Sequence, residues 1–99
     1  MARKHIAKVD ANQARIVEVL RAAGVRVFIT SHVGHGFVDI VCYRPATGLL
    51  RLIEIKDGSK PPSARKLTRE EYEFASMFPV WVVVNEKEAL EAMEICIAK

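Results

Sequence analysis

The sequence predicts an α/β fold in which a helix, three strands, a second helix, a fourth strand and a last helix follow one another, with the strands in one mixed sheet. Three observations carry this. Two runs rich in large apolar residues, 36–43 and 49–56, are separated by Arg44-Pro45-Ala46-Thr47-Gly48 and read as a hairpin. Val80-Trp81-Val82-Val83-Val84 is a continuous apolar run of strand length, the pattern of a strand covered on both faces. A helical segment lies between the hairpin and that run, so the fourth strand returns by a crossover and is most simply placed beside a strand running parallel to it.

The remaining elements follow from local signals. Asp10 with Gln13 fits a capping box, Ile16, Val17, Val19, Leu20 and Ala23 recur at helical spacing, and Gly24 supplies the stop. Residues 25–30 (Val-Arg-Val-Phe-Ile-Thr) read as the first strand. The glycines of Ser31-His32-Val33-Gly34-His35-Gly36 then suit a sharp bend at the rim of a site. Thr68 to Met77 reads as the second helix, with Thr68 and Glu71 as its capping pair and Tyr72, Phe74, Ala75 and Met77 as apolar contacts. Trp81 reads as core. Asn85 and Glu88 resemble another capping box and open the last helix toward Ala98.

Ninety-nine residues make one domain, and 51% hydrophobic with 27% charged residues is the balance of a soluble globular protein. A formal charge of +3 and a pI near 9.1 favour anionic partners. Cys42 and Cys96 show no metal or disulfide spacing and are expected to be buried thiols of a reducing compartment. No signal peptide or transmembrane run is visible, so the expectation is a cytoplasmic protein with no membrane partner.

The chemistry concentrates on the hairpin. Side chains alternate along a strand, so Asp39 shares a face with Phe37, Val41 and Tyr43, and Glu54 and Lys56 share one with Leu50 and Leu52. If Tyr43 pairs with Leu50, counting back along both strands sets Asp39 opposite Glu54. Like charges directly opposed across a ladder are destabilising, so two carboxylates inside apolar strands call for a neutralising charge. A hard divalent cation is the natural candidate, and Lys56 points toward the same place. The competing reading is a surface face on which Lys56 screens the two acids. His32 and His35 lack the partners of a zinc set and are expected to border the site, to contact phosphate or to serve structure alone. Lys60, Arg65 and Lys66 put positive charge just past the carboxylates, where a polyanion would lie, or form an ordinary solvated loop. Arg3, Lys4, His5 and Lys8 read as a solvated basic lead.

With Gly36-Phe37-Val38-Asp39 on the second strand, Glu54-Ile55-Lys56 on the third and Lys66-Leu67-Thr68 opening the next helix, the chain resembles the PD-(D/E)XK nuclease superfamily. Within it the chain looks like the small phage and bacterial VRR-NUC-type nucleases, which are related in fold to Holliday junction resolvases. The similarity runs from Asp10 to about Ala89. It implies a restriction-endonuclease-like αβββαβ core with a C-terminal helix, and Mg²⁺ or Mn²⁺ held by Asp39, Glu54 and the Ile55 carbonyl. Lys56 is then the residue that orients or activates water, and Gln13 is a further catalytic candidate. The chain departs from the family in offering Gln13, with Glu18 further on, where relatives carry a first-helix glutamate, and Glu71 where a glutamine is common. The implied activity is metal-dependent endonucleolytic hydrolysis of DNA selected by structure, such as branched or junction DNA, by a homodimer. His35, Lys60, Arg65 and Lys66 are the expected DNA contacts. The alternative is a nucleic-acid-binding module without catalysis, or the nuclease subunit of a larger assembly.

Overall fold

The fold is known from a computed structural model that describes residues 11–96. The elements are α1 (Ala11–Ala22), β1 (Arg26–Ile29), β2 (Ile40–Arg44), β3 (Leu49–Ile55), a 3-10 turn (Pro62–Arg65), α2 (Arg69–Met77), β4 (Val80–Val83) and α3 (Glu86–Ala92). The strands form one sheet in the order β1-β2-β3-β4. The first two pairings are antiparallel and the third is parallel. The expected mixed sheet and element order are therefore present, and Tyr43 pairs with Leu50 as the turn predicts.

One face of the sheet carries the core. Gln13, Ile16, Val17 and Leu20 recur at i, i+3, i+4 and i+7, so they form one stripe of α1 that turns inward. This stripe meets Ile40, Cys42, Ile53, Ile55 and Val83 from the strands and Ala89, Ala92 and Met93 from α3 and its end. Arginines of the sheet close α3: Arg44 Nη1 donates to the carbonyls of Met93 and Glu94, and Arg51 Nε donates to that of Ala92. These bonds satisfy carbonyls that the helix end leaves free, and Glu94 takes a left-handed φ of 60°. The last helix therefore stops at Ala92, well before the expected Ala98, and residues 97–99 lie outside the described set.

The other face is open except at the end that carries Glu54 and Lys56, where Glu71 of α2 reaches it. By register, Phe28, Val41, Leu52 and Val80 form a row across all four strands, with Arg26, Tyr43 and Leu50 beside it. Neither α1 nor α3 reaches this side, and α2 buries none of its residues. Tyr72 and Met77 are exposed, contrary to the expectation that they pack inward. An aromatic contact helps to hold α2: the Phe37 ring meets Phe74 edge-on at 5.2 Å, and Phe74 stacks on Phe78 at 4.6 Å.

The fourth strand also differs from expectation. It is an edge strand with Trp81 and Val82 exposed, because an apolar run shows β propensity but does not say how many neighbours the strand has. Trp81, expected in the core, is instead exposed, with the Arg51 guanidinium 4.7 Å above its ring. Of the two thiols, Cys42 is buried and Cys96 is exposed, since α3 has ended before it. The capping box that opens the first helix rests on Asp10, outside the described residues, and Gln13 is turned inward. At α3 the Asn85 side chain accepts from the Glu88 N–H, but Glu88 accepts from Val84 N rather than closing the box.

Candidate functional site

The loop before β2 sets the position of the first acid. Gly34, His35 and Gly36 take φ of 78°, 57° and 80°, all left-handed, so the expected strand over 36–43 starts only at Ile40. At Gly36 a Cβ would lie 2.5 Å from the Glu70 carbonyl oxygen, and only glycine allows the loop to press against the first turn of α2.

Asp39 nevertheless continues the ladder, with its N–H donating to Ile53 O at 3.1 Å and its carbonyl accepting from Thr30 N at 2.8 Å. The register Ile40 to Ile53 thus extends by one residue and sets Asp39 against Glu54. The Asp39 side chain bends to the backbone, where Oδ2 accepts from the Ile55 N–H at 2.8 Å. Ile55 therefore presents its N–H to Asp39, leaving its carbonyl as the atom available to a cation.

Glu54 sits in the middle of the sheet and its side chain is buried. Lys56, two residues on and on the same face, brings Nζ to 3.5 Å from Glu54 Oε2 and to 2.8 Å from Glu71 Oε1. Glu71 does two things at once. It accepts from Thr68 N at 2.9 Å while Thr68 Oγ1 accepts from Glu71 N at 3.1 Å, closing the capping box of α2, and it grips Lys56 from the same oxygen. The spacing Thr68 to Glu71 reveals only the cap, since the contact with Lys56 joins elements distant in sequence.

Three carboxylates and one ammonium share this small region, and their ionisation shows the strain. Burial pushes Glu54 up to about 9, helped by a hydrogen bond with Glu71 and by the charges of Asp39 and Glu71. Burial also raises Asp39, against the Ile55 N–H. Desolvation alone would lower Lys56, but the hydrogen bond and charge of Glu71, together with Glu54, outweigh it and hold the ammonium above its usual value. Burial would raise Glu71 as well, and the bonds from Lys56 and Thr68 reverse this. At neutral pH Glu54 is held protonated, beside the Lys56 ammonium and a Glu71 carboxylate that is kept below its ordinary range. Glu54 is thus the acid most in need of a further positive charge.

Among the described residues no three His, Cys, Asp or Glu side chains gather as a ready-made metal cluster. The donors at hand are two opposed carboxylates and a carbonyl, and that is the protein share typical of Mg²⁺, which is bound by one or two carboxylates and completes its shell with water and phosphate oxygens. The residues fit such an ion.

The other expected site residues are more scattered. Gln13 is buried and its Nε2 donates to Ser31 Oγ at 3.3 Å, so it anchors the loop after β1. Glu18 is exposed and borders a groove with Val17, Arg21 and Ile29. His32 and His35 are exposed in the glycine loop. Lys60 and Lys66 are exposed, whereas Arg65 turns back and donates Nε to Lys60 O at 2.7 Å. That bond fixes the loop and takes one face of the guanidinium away from a ligand.

One contributor escaped the sequence reading. Asn12 donates Nδ2 to both Lys56 O and Val84 O, at 3.1 and 3.2 Å, and so ties α1 to the strand ends that carry the lysine. Beyond Asn12 a cleft of about 530 Å³ opens between Arg15, Asp57, Ser59 and Glu86, and neither Asp39 nor Glu54 lines it.

No protein-family profile, curated protein or solved structure matches the chain. The chemical reading therefore rests on the geometry of Asp39, Glu54, Lys56 and Glu71. No helix among the described residues is long and apolar enough to cross a membrane.

Proposed function

We propose that the protein is a metal-dependent DNA endonuclease of the PD-(D/E)XK type, with Asp39, Glu54 and Lys56 as its catalytic residues. The observation that carries this reading is the meeting of an opposed Asp39–Glu54 pair and the Lys56 ammonium on one face of adjoining strands. A folded chain keeps a buried acid opposed to a half-buried one at a cost in stability, and ion binding offsets that cost.

When bound, Mg²⁺ or Mn²⁺ would act as a Lewis acid on the scissile phosphate and lower the pKa of a coordinated water. Asp39 and Glu54 are the residues that would hold the ion, both as carboxylates. The Ile55 carbonyl is a further donor, since Asp39 occupies only the N–H of that residue. Lys56, braced by Glu71, directs a hydrogen bond at the water or at the charge that develops on the phosphate. Lys60 and Lys66 lie on the loop that leaves β3 and offer phosphate contacts. Phosphate contacts position a duplex without reading bases, so this small basic domain is matched to DNA shape, branched or junction DNA above all.

The test is incubation of the purified protein with four-way-junction, single-stranded and linear duplex DNA in Mg²⁺, Mn²⁺ or EDTA. The proposal expects metal-dependent cutting, strongest on the junction. Retarded migration of the DNA with no cutting under any condition would favour a binding module without catalysis.

A further inference from the structure

The sheet face that bears Glu54 and Lys56 also carries two exposed aromatic rings. By register Phe28 stands in the row next to that of Asp39 and Glu54, and Tyr43, paired with Arg26, stands one row further out. Phe28 is 70% exposed and Tyr43 43%. The two are diagonal neighbours on adjoining strands, roughly 7–8 Å apart, and among the described residues neither ring packs on another aromatic side chain. Each ring therefore has a face to offer.

We infer that this face is a platform for unpaired DNA, on which a single strand leaves the carboxylate site with one base stacked on Phe28 and a following base on Tyr43. This rests on the nuclease reading for the chemistry at Glu54 and adds to it a substrate class: DNA with an unpaired stretch beside the cut, as branch points expose.

In a duplex both faces of a base are covered by its neighbours in the stack, so only an unpaired base can lie on a protein ring. A four-stranded sheet with exposed aromatic side chains holds about two or three such bases. Rows succeed one another at about 7 Å and strands at about 5 Å, which puts Phe28 roughly 12 Å and Tyr43 roughly 14 Å from Glu54. That is the reach of a short run of nucleotides.

Charge fits the same occupant. Lys56 stands at one end of the face and the exposed Arg26 at the other, whereas the row that contains Phe28 has no ionisable group. Cations at the two ends suit phosphates, and the apolar row between them suits bases. A wholly apolar partner would instead cover Arg26, Glu54 and Lys56 and strip them of water. Glu71 of α2 reaches only the Lys56 end, so the rings stay uncovered.

The test is fluorescence anisotropy of a labelled oligothymidylate of about 12 nucleotides, in EDTA so that cutting does not interfere. Wild type should bind it at least about fivefold more tightly than a duplex of the same length. Phe28→Ala, Phe28→Leu and Tyr43→Ala, all at exposed positions, should each weaken binding at least about fivefold, with far-UV circular dichroism and salt dependence unchanged. Phe28→Tyr and Tyr43→Phe keep a ring and should bind as wild type does. Arg26→Ala should lower the slope of log K against log salt by about 0.7. Tyr72→Ala, on the exposed side of α2, serves as control and should bind normally. Normal binding by Phe28→Ala and Tyr43→Ala would overturn the inference whether or not wild type cuts DNA. So would ring variants that change the mass of the particle in sedimentation but not its affinity for DNA. The expected losses in a chain that cuts no DNA would uphold the platform and remove the nuclease reading instead.

Discussion

Replacing Glu54 by Gln should stabilise the protein in the absence of metal, and the size of the effect should follow pH. The native carboxyl is pushed up to about 9 from an ordinary 4.5, so between these values the folded state holds a proton that the unfolded chain has lost. Stability therefore falls as pH rises through this window and is fullest below 4.5. Asp39, also raised, contributes in the same direction. Glu71 and Lys56 act oppositely at the extremes, since the lowered Glu71 adds stability above its usual range and the raised Lys56 adds stability that is lost only at alkaline pH.

At pH 7 the Glu54 contribution is on the order of 3–4 kcal/mol against folding, from about 1.4 kcal/mol for each pH unit above its unfolded value. Gln is nearly isosteric, can donate to Glu71 and does not titrate. For a domain of this size about 1 kcal/mol moves Tm by roughly 4–8 °C, so Glu54→Gln should melt at least about 5 °C above wild type at pH 7.5 in EDTA. The two should converge near pH 4.5, and saturating Mg²⁺ should narrow the gap by stabilising wild type alone. Thermal melts followed by circular dichroism from pH 4.5 to 9 measure this. A variant that melts below wild type at pH 7.5, or a difference that does not change with pH, would refute the electrostatic account of the site.

Other consequences can be checked with the same preparations. Gly36→Ala should cost about 1–3 kcal/mol in urea melts, from the left-handed φ and the approach of Glu70, and unchanged stability would contradict the contact between loop and helix. Glu71→Ala should lose about 1 kcal/mol with the cap and should also free Lys56, whereas Glu71→Gln should keep most of the stability because it can still accept from Thr68 N. Equal losses for the two would indicate that the cap is not what Glu71 supplies. Lys60→Ala combined with Lys66→Ala should weaken DNA binding and lower the slope of log K against log salt by about 1–2, with little change in cleavage at saturating DNA. An unaltered slope would place the phosphates elsewhere.

Much of this fold was legible because local chemistry decided it. The hairpin register follows from one five-residue connector, and that register alone brings Asp39 opposite Glu54. The α1 stripe and the Thr68–Glu71 cap depend only on spacing. What sequence could not supply was the surroundings of each element. Val80 to Val84 has the composition of a central strand yet forms an edge, since an apolar run looks alike whether one or two neighbours flank it. Tyr72 and Met77 look like the inner face of a helix, but α2 stands off the sheet and leaves them exposed. The left-handed run Gly34 to Gly36 shortened β2 without moving Asp39 out of register, because its backbone bonds to Ile53 and Thr30 persist. Within the site, the acids and the lysine were legible from alternation, whereas the roles of Asn12 and Glu71 come from contacts between distant segments. Gln13 is the converse case, a residue carried by resemblance whose observed partner is Ser31.

The central claim is that Asp39, Glu54 and Lys56 act together on a phosphodiester. Single-turnover cleavage of an end-labelled four-way junction in Mg²⁺, comparing wild type with Glu54→Gln and Lys56→Met, tests it most directly. The account predicts cutting by wild type that EDTA abolishes, and a loss of at least about 10²-fold in each variant while junction binding is retained. Cleavage at the wild-type rate by both variants, or none by wild type in either Mg²⁺ or Mn²⁺, would contradict it.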